Sequence, residues 1–151
     1  MDPLPTYYEL PETPYSEPDV SSEYPLIFTS MKLPPYVLSR GRQIPSLRHS
    51  HKEPLVRINS DTAEKLGIKN GDWVYIENKL GRVREKAALS SSLHPQVIIA
   101  DFGWWFPEKK EDLHGWAESN LNIITDNNPP YARELGSVTL KGIRCKVYKA
   151  C

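Results

Sequence analysis

The sequence predicts a mainly β protein: a closed barrel of six short strands with short helices and long loops. Two observations lead there. Apolar or alternating segments of about four to eight residues recur along the chain between Gly, Pro and Asn turn signals, and only one stretch carries both a helix start and a helix stop signal. So many strand edges need covering, which closure achieves.

Residues 25–29, Pro-Leu-Ile-Phe-Thr, read as the opening strand, and a Pro-broken loop follows from 31 to 54. A loop that long inside one domain is usually functional. Residues 55–58 form the second strand. Asp61 then stands as an N-cap with Glu64 three residues later; Gly67 supplies the left-handed end, and Ile68 is placed to fold back onto Ala63. Asn70-Gly71 turns the chain into strand 72–77, and Asn78 to Gly81 turn it again. In strand 82–89, Val83, Ala87 and Leu89 alternate with Arg82, Arg84 and Lys86, the pattern of a half-buried strand. Residues 97–100 are an apolar run after Pro95, and strand 142–147 puts Ile143, Cys145 and Val147 on one face. No internal repeat is visible.

The chain of 151 residues is one domain's worth. Its first 23 residues, with Pro3, Pro5, Pro11, Pro14 and Pro18 among acidic side chains, show no periodicity and read as an extended linker or arm, leaving residues 24–151 as the folded domain. Net charge is zero, so no broad electrostatic footprint for nucleic acid or an anionic membrane exists. No stretch is long and apolar enough to span a bilayer, and no secretory signal is read at the N-terminus. Cysteine usage leaves cytoplasm and periplasm both open. Cys145 reads as a small buried hydrophobe, and His49, His51, His94 and His114 lack metal-ligand spacing, so no protein metal ligand or catalytic side chain is expected.

Two segments carry the functional signal. Residues 101–108, Asp-Phe-Gly-Trp-Trp-Phe-Pro-Glu, put rigid rings where an apolar strand ends, as a surface for something flat or as a plug for a small core. In residues 119–125, Ser-Asn-Leu-Asn-Ile-Ile-Thr, amides alternate with apolar residues and offer the paired donors and acceptors that read a heterocycle edge.

Together with Thr29-Ser30, the run Arg-Gly-Arg-Gln-Ile-Pro-Ser-Leu-Arg at 40–48 and the helix-turn pattern at 61–72, these segments resemble one family. It is the C-terminal domain of the molybdopterin oxidoreductases, the dimethyl sulfoxide reductase superfamily, in its acetylene hydratase-like and thiosulfate or polysulfide reductase-like branch. The resemblance covers residues 24–148. It implies a prokaryotic six-stranded double-psi β-barrel that covers two molybdopterin guanine dinucleotides (bis-MGD) carrying molybdenum or tungsten. The metal ligand and the iron-sulfur cysteines would come from upstream domains of the same subunit, which are the implied partners alongside weak self-association. Neither bound cofactor nor turnover is expected of this chain alone.

Residue by residue, the resemblance places Thr29 and Ser30 beside the pterin or its phosphates, and Arg42, Gln43, Ser46 and Arg48 on a loop that approaches the cofactor. Trp104 and Trp105 would cover a flat ring or wall the funnel; Asn120 and Asn122 would meet pterin heteroatoms; Gly136 marks a cofactor-side loop, and Lys141 is a further contact. Many relatives carry His where Leu38 stands, so a polar role is not expected there. The alternative reading is a free-standing double-psi barrel that serves protein interaction or substrate recognition.

Overall fold

Alternation of inward apolar and outward polar side chains builds the barrel, because side chains on successive strand residues point to opposite faces. The computed structural model describes residues 7–9, 11–129, 131, 136–138 and 142–150. Six strands, β1 (Leu26–Met31), β2 (Leu55–Asn59), β3 (Trp73–Asn78), β4 (Gly81–Ser90), β5 (Val97–Asp101) and β6 (Ile143–Lys149), close in the order β1-β5-β2-β4-β3-β6. Phe28, Val56, Ile58, Val74, Ile76, Val83, Ile98 and Ala100 fill the interior, each at most 1% exposed. Cys145 is buried on the same side, and burial pushes its thiol pKa up.

The ring has a hidden symmetry. Exchanging β1, β2 and β3 for β4, β5 and β6 returns the same ring in the opposite sense, and the two parallel pairs, β1 with β5 and β2 with β4, exchange with each other. Strand β5 is inserted between the consecutive strands β1 and β2, and β2 between β4 and β5. Two such ψ-shaped crossings make this a double-psi barrel. The symmetry is one of topology and leaves no repeat in the sequence.

The helices are short: α1 (Pro18–Glu23), α2 (Pro45–Ser50), α3 (Ser60–Lys65) and α4 (Asp112–Ser119), with a 3-10 turn at Leu121–Ile124. Helix α1 lies in the segment expected to be extended. Proline at its start supplies the fixed φ that a first helical turn accepts. Ahead of it the Glu12 carbonyl accepts a 3.0 Å bond from Arg144 Nε, and the Glu12 carboxylate pairs with Lys79, so this part of the arm rests on the barrel. Helix α2 breaks the long 31–54 loop and also begins at a proline. The first part of α4 is left-handed, with Leu113 at φ 51° and His114 at φ 61°. Each non-glycine residue held there costs roughly 1–2 kcal/mol.

The N-cap of α3 is Asn59, a correction to the expected Asp61. Its Oδ1 accepts the amide N–H groups of Asp61 (2.9 Å) and Thr62 (3.1 Å), while its Nδ2 donates to Leu93 O at 2.7 Å. Asp61 lies one residue inside the helix. The other end behaves as expected, with Gly67 at φ 66° and Ile68 N donating to Ala63 O at 2.8 Å. We therefore expect Asn59→Ala to lower unfolding free energy in urea by about 1–2 kcal/mol. Asp61→Ala, which loses only a charge near the helix start, should cost less; the reverse order would return the cap to Asp61.

Candidate functional site

Strand β5 ends at a buried carboxylate. Asp101, fully buried, accepts from Leu55 N at 2.8 Å and Arg57 Nη1 at 3.1 Å, and lies 2.6 Å from His51 Nε2. Its own amide donates to Glu85 Oε2 at 3.1 Å. Glu85 sits between Val83 and Ala87 on the inward face of β4, and its other carboxylate oxygen has no hydrogen-bond partner. Burial, reinforced by the Asp101 charge, pushes the Glu85 carboxyl well above the ordinary range. It is an inward charge position that Arg84 and Lys86, on the outward face, conceal in the sequence.

Beyond Asp101 the chain enters the aromatic segment. Trp104 is completely buried and forms a second core with Leu33, Tyr36 and Phe106; it meets Tyr36 edge-on at 6.0 Å. This is the plug, not the ligand surface: neither face of Trp104 is open. Trp105 is half-buried, and its indole N–H donates to Ser39 O at 2.6 Å, tying this segment to the 31–54 crossover. Arg42 is 1% exposed. Its Nη1 and Nη2 donate to the carbonyls of Leu38 (2.9 Å) and Phe102 (2.8 Å), and its guanidinium lies over the rings of Tyr36 and Trp104. It offers no phosphate fork, because the fork is filled by backbone carbonyls. Arg48 spends Nη2 on Glu108 and also lies over Trp104. Gln43 and Ser46 are exposed on this loop.

The opposite wall comes from the 119–125 segment. Asn120 Oδ1 accepts from Asn122 N at 3.1 Å and so caps the 3-10 turn instead of facing outward. Asn78 Nδ2 donates to Ile124 O, and Thr125 Oγ1 to Leu121 O, each at 2.8 Å. With the turn fixed, Asn122 is exposed and its side-chain amide makes no bond to any described residue.

Between these walls lies a cleft of about 660 Å³ lined by Phe28, Ser30, Met31, Lys32, Leu38, Phe102, Leu121, Asn122 and Thr125. Its floor is apolar. Ser30, Lys32 and the Asn122 amide also line the cleft, and their side chains make no hydrogen bond or ion pair to a described residue. Of the expected residues, the structure brings Ser30 and Asn122 together there. Thr29 is half-buried beside them on β1; Gly136 is exposed at φ 65°; Lys141 lies outside the described residues. Lys32 and Thr125 were not singled out as site residues, although Thr125 closes the 119–125 segment and Lys32 stands two residues after Ser30. A smaller recess of about 250 Å³ between arm and barrel, lined by Glu12, Lys79 and Asp126 among others, gathers none of these residues. Among the described residues no His, Cys, Asp and Glu cluster could hold a metal ion, and no helix is long and apolar enough to cross a membrane.

Comparison with known proteins identifies the family and the fold. The family model described as "Molydopterin dinucleotide binding domain" matches residues 26–137. Dopamine dehydroxylase of Eggerthella lenta is 40% identical over 150 residues, covering 97% of this chain and 14% of that protein. Acetylene hydratase of Syntrophotalea acetylenica is 29% identical over 155 residues, 98% of this chain and 21% of the relative. The solved structure of acetylene hydratase from Pelobacter acetylenicus superposes with a TM-score of 0.90 at 28% identity, covering 99% of this chain and 22% of that one. The chain thus spans about a fifth or less of the length of these relatives. It belongs to the molybdopterin dinucleotide-binding domain family.

The buried carboxyl of Glu85 generates a pH prediction. Its pKa is raised in the folded state, so the folded protein holds a proton that the unfolded chain releases. The contribution of Glu85 to stability is then full below the ordinary Glu range and is lost as pH rises from there through the raised folded value. Glu85→Gln keeps an oxygen for the Asp101 amide and removes the titration. Urea midpoints measured across pH should fall more steeply for the wild type than for the variant; parallel curves would show that Glu85 is not protonated in the fold.

Proposed function

We propose that this member of the molybdopterin dinucleotide-binding family is the C-terminal cofactor-covering domain, residues 24–151 preceded by a linker segment, of a larger molybdenum or tungsten bis-MGD oxidoreductase. The reading rests on one observation above the others: Ser30, Lys32 and Asn122 stand uncommitted over an apolar floor, at the end of the barrel where β1 and β5 finish. A pterin or guanine ring has two apolar faces and an edge of alternating donors and acceptors, and this cleft matches both. A protein-interaction module would have no use for such groups held apart in a concave cleft.

The fit assigns roles to this chain's residues. Asn122 reads the ring edge, Ser30 supplies a hydroxyl at the strand end, and Lys32 supplies a cation for a phosphate or carbonyl oxygen; Thr29, on the opposite face of β1, does not line the cleft. Arg48, Gln43 and Ser46 lie on the same crossover as Lys32 and Leu38 and would meet the more distant, anionic part of a dinucleotide. Arg42, Trp104, Trp105 and Asn120 hold the walls. The cofactor, when bound, supplies the metal at which the reaction takes place; the chain's own contribution is binding, orientation and exclusion of water. The other domains of the enzyme are its partners.

The test uses the chain itself, labelled with nitrogen-15 and titrated separately with neopterin and guanosine diphosphate. At least one ring should shift the amide signals of Ser30, Phe102 and Asn122, with weak affinity because only part of a pocket is present. Asn122→Ala should weaken that binding by roughly tenfold, the equivalent of about 1.4 kcal/mol, without lowering the melting temperature. Signals that move elsewhere, or an Asn122→Ala variant that melts early yet binds normally, would remove the cofactor assignment.

A further inference from the structure

Leu38 is held in a conformation and a place that packing does not explain. It occupies the first central position of the turn Val37 to Arg40, closed by Arg40 N to Val37 O at 2.9 Å, with φ at 53°. A positive φ at that position is the habit of glycine, and a branched side chain there is strained. The side chain is 54% exposed and belongs to neither core cluster, yet it lines the cleft. A large apolar residue that is strained, wet and unpacked gains nothing for the fold.

The surroundings nevertheless fix it there. Arg42, almost wholly buried, donates one arm to Leu38 O and the other to Phe102 O, so a single guanidinium bridges the carbonyls of two residues on the cleft wall. Trp105 Nε1 holds the next carbonyl, that of Ser39, at 2.6 Å. Gly103, where the two segments meet, takes φ 66°, a left-handed conformation that residues with side chains rarely adopt. Lysine, whose donors all sit on one nitrogen, lacks the two separate nitrogens of the planar fork that reach these carbonyls.

We infer that Leu38 is the apolar wall against which the cleft's occupant, a flat fused-ring heterocycle, lays its face, and that Arg42 is the positioning residue that keeps it there. The inference rests on the cofactor reading of the cleft and adds to it which residue packs on the ring and what aligns that residue.

The neopterin and guanosine diphosphate titrations are repeated on Leu38→Gly, Leu38→Asn, Arg42→Lys and the Arg42→Lys/Leu38→Gly double variant, below all melting temperatures. Glycine and asparagine both tolerate a positive φ, so both variants should fold with an unchanged or raised melting temperature. Binding of the ring that occupies the wild-type cleft should weaken by about fivefold to tenfold in each. Arg42→Lys should weaken it comparably alone but add little to Leu38→Gly, since it acts through Leu38. Whichever ring loses affinity identifies the occupant as the pterin or the guanine portion. Cleft signals that move equally in the wild type and the Leu38 variants would overturn this inference and leave the cofactor reading standing. A lowered melting temperature for both Leu38 variants would make Leu38 a packing residue, and additive losses in the double variant would reduce Arg42 to a general brace. Absence of any cleft shift in the wild type would overturn the cofactor reading and this inference together.

Discussion

Asp101 is the point on which the cleft end of this barrel hangs. A carboxylate with no exposure is tolerable only when its oxygens are filled, and these take an amide, a guanidinium and an imidazole from Leu55, Arg57 and His51. Those partners all belong to the close of the first crossover and the start of β2, so one side chain at the end of β5 sets where that crossover lands. The adjacent Glu85 could have spoiled the arrangement by adding a second negative charge. Burial pushes its carboxyl pKa up, which disfavours that second charge, and it accepts the Asp101 amide.

From that point the order spreads outward by contact. His51 meets the ring of Trp104 at 5.6 Å, and its carbonyl accepts the Tyr36 hydroxyl at 2.7 Å, joining the carboxylate cluster to the second core. Trp104 in turn lies beneath Arg42 and Arg48, so its burial anchors the loop that carries both. The far wall is set independently, by Asn78 and Thr125 on the 3-10 turn. Both sides of the cleft are therefore held before any ligand arrives, and a ligand would not have to meet the cost of ordering them.

Legibility in the sequence followed the physics of each element. The strands were readable because period-two burial writes itself directly into the order of residues, as in Val74 and Ile76 against Trp73 and Tyr75. Glu85 escaped because charge at an inward position breaks that code, though its place midway between Val83 and Ala87 was the available signal. Helices α1 and α2 have six residues each, too few for a 3.6 period to show, and only their leading prolines announced them. The left-handed entry to α4 has no signature at Asp112, Leu113 or His114, where strain is held by tertiary contacts such as Phe106 N to His114 O. Within the candidate site, motif resemblance pointed to loops but could not say which way their side chains turned. Ser30 and Asn122 turned to the cleft; Trp104 and Arg42, equally prominent in the sequence, turned inward.

That division has a topological reason. A six-stranded barrel closes around a lumen its own side chains fill, here with residues such as Phe28, Ile58 and Ile98 that expose almost nothing, so no ligand can lie inside it. Binding groups must stand at a barrel end, and a double-psi ring carries its long crossovers across the ends because consecutive strands are separated by an inserted neighbour. The first crossover and the segment after β5 meet over the same end, stitched by Arg42 and Trp105. Residues in those two segments can change what is bound while the strands beneath keep their register, provided the stitching residues are retained. On the proposed reading, Arg42 and Trp105 would act on binding only by holding these walls, while Lys32, Leu38 and Asn122 line the cleft itself.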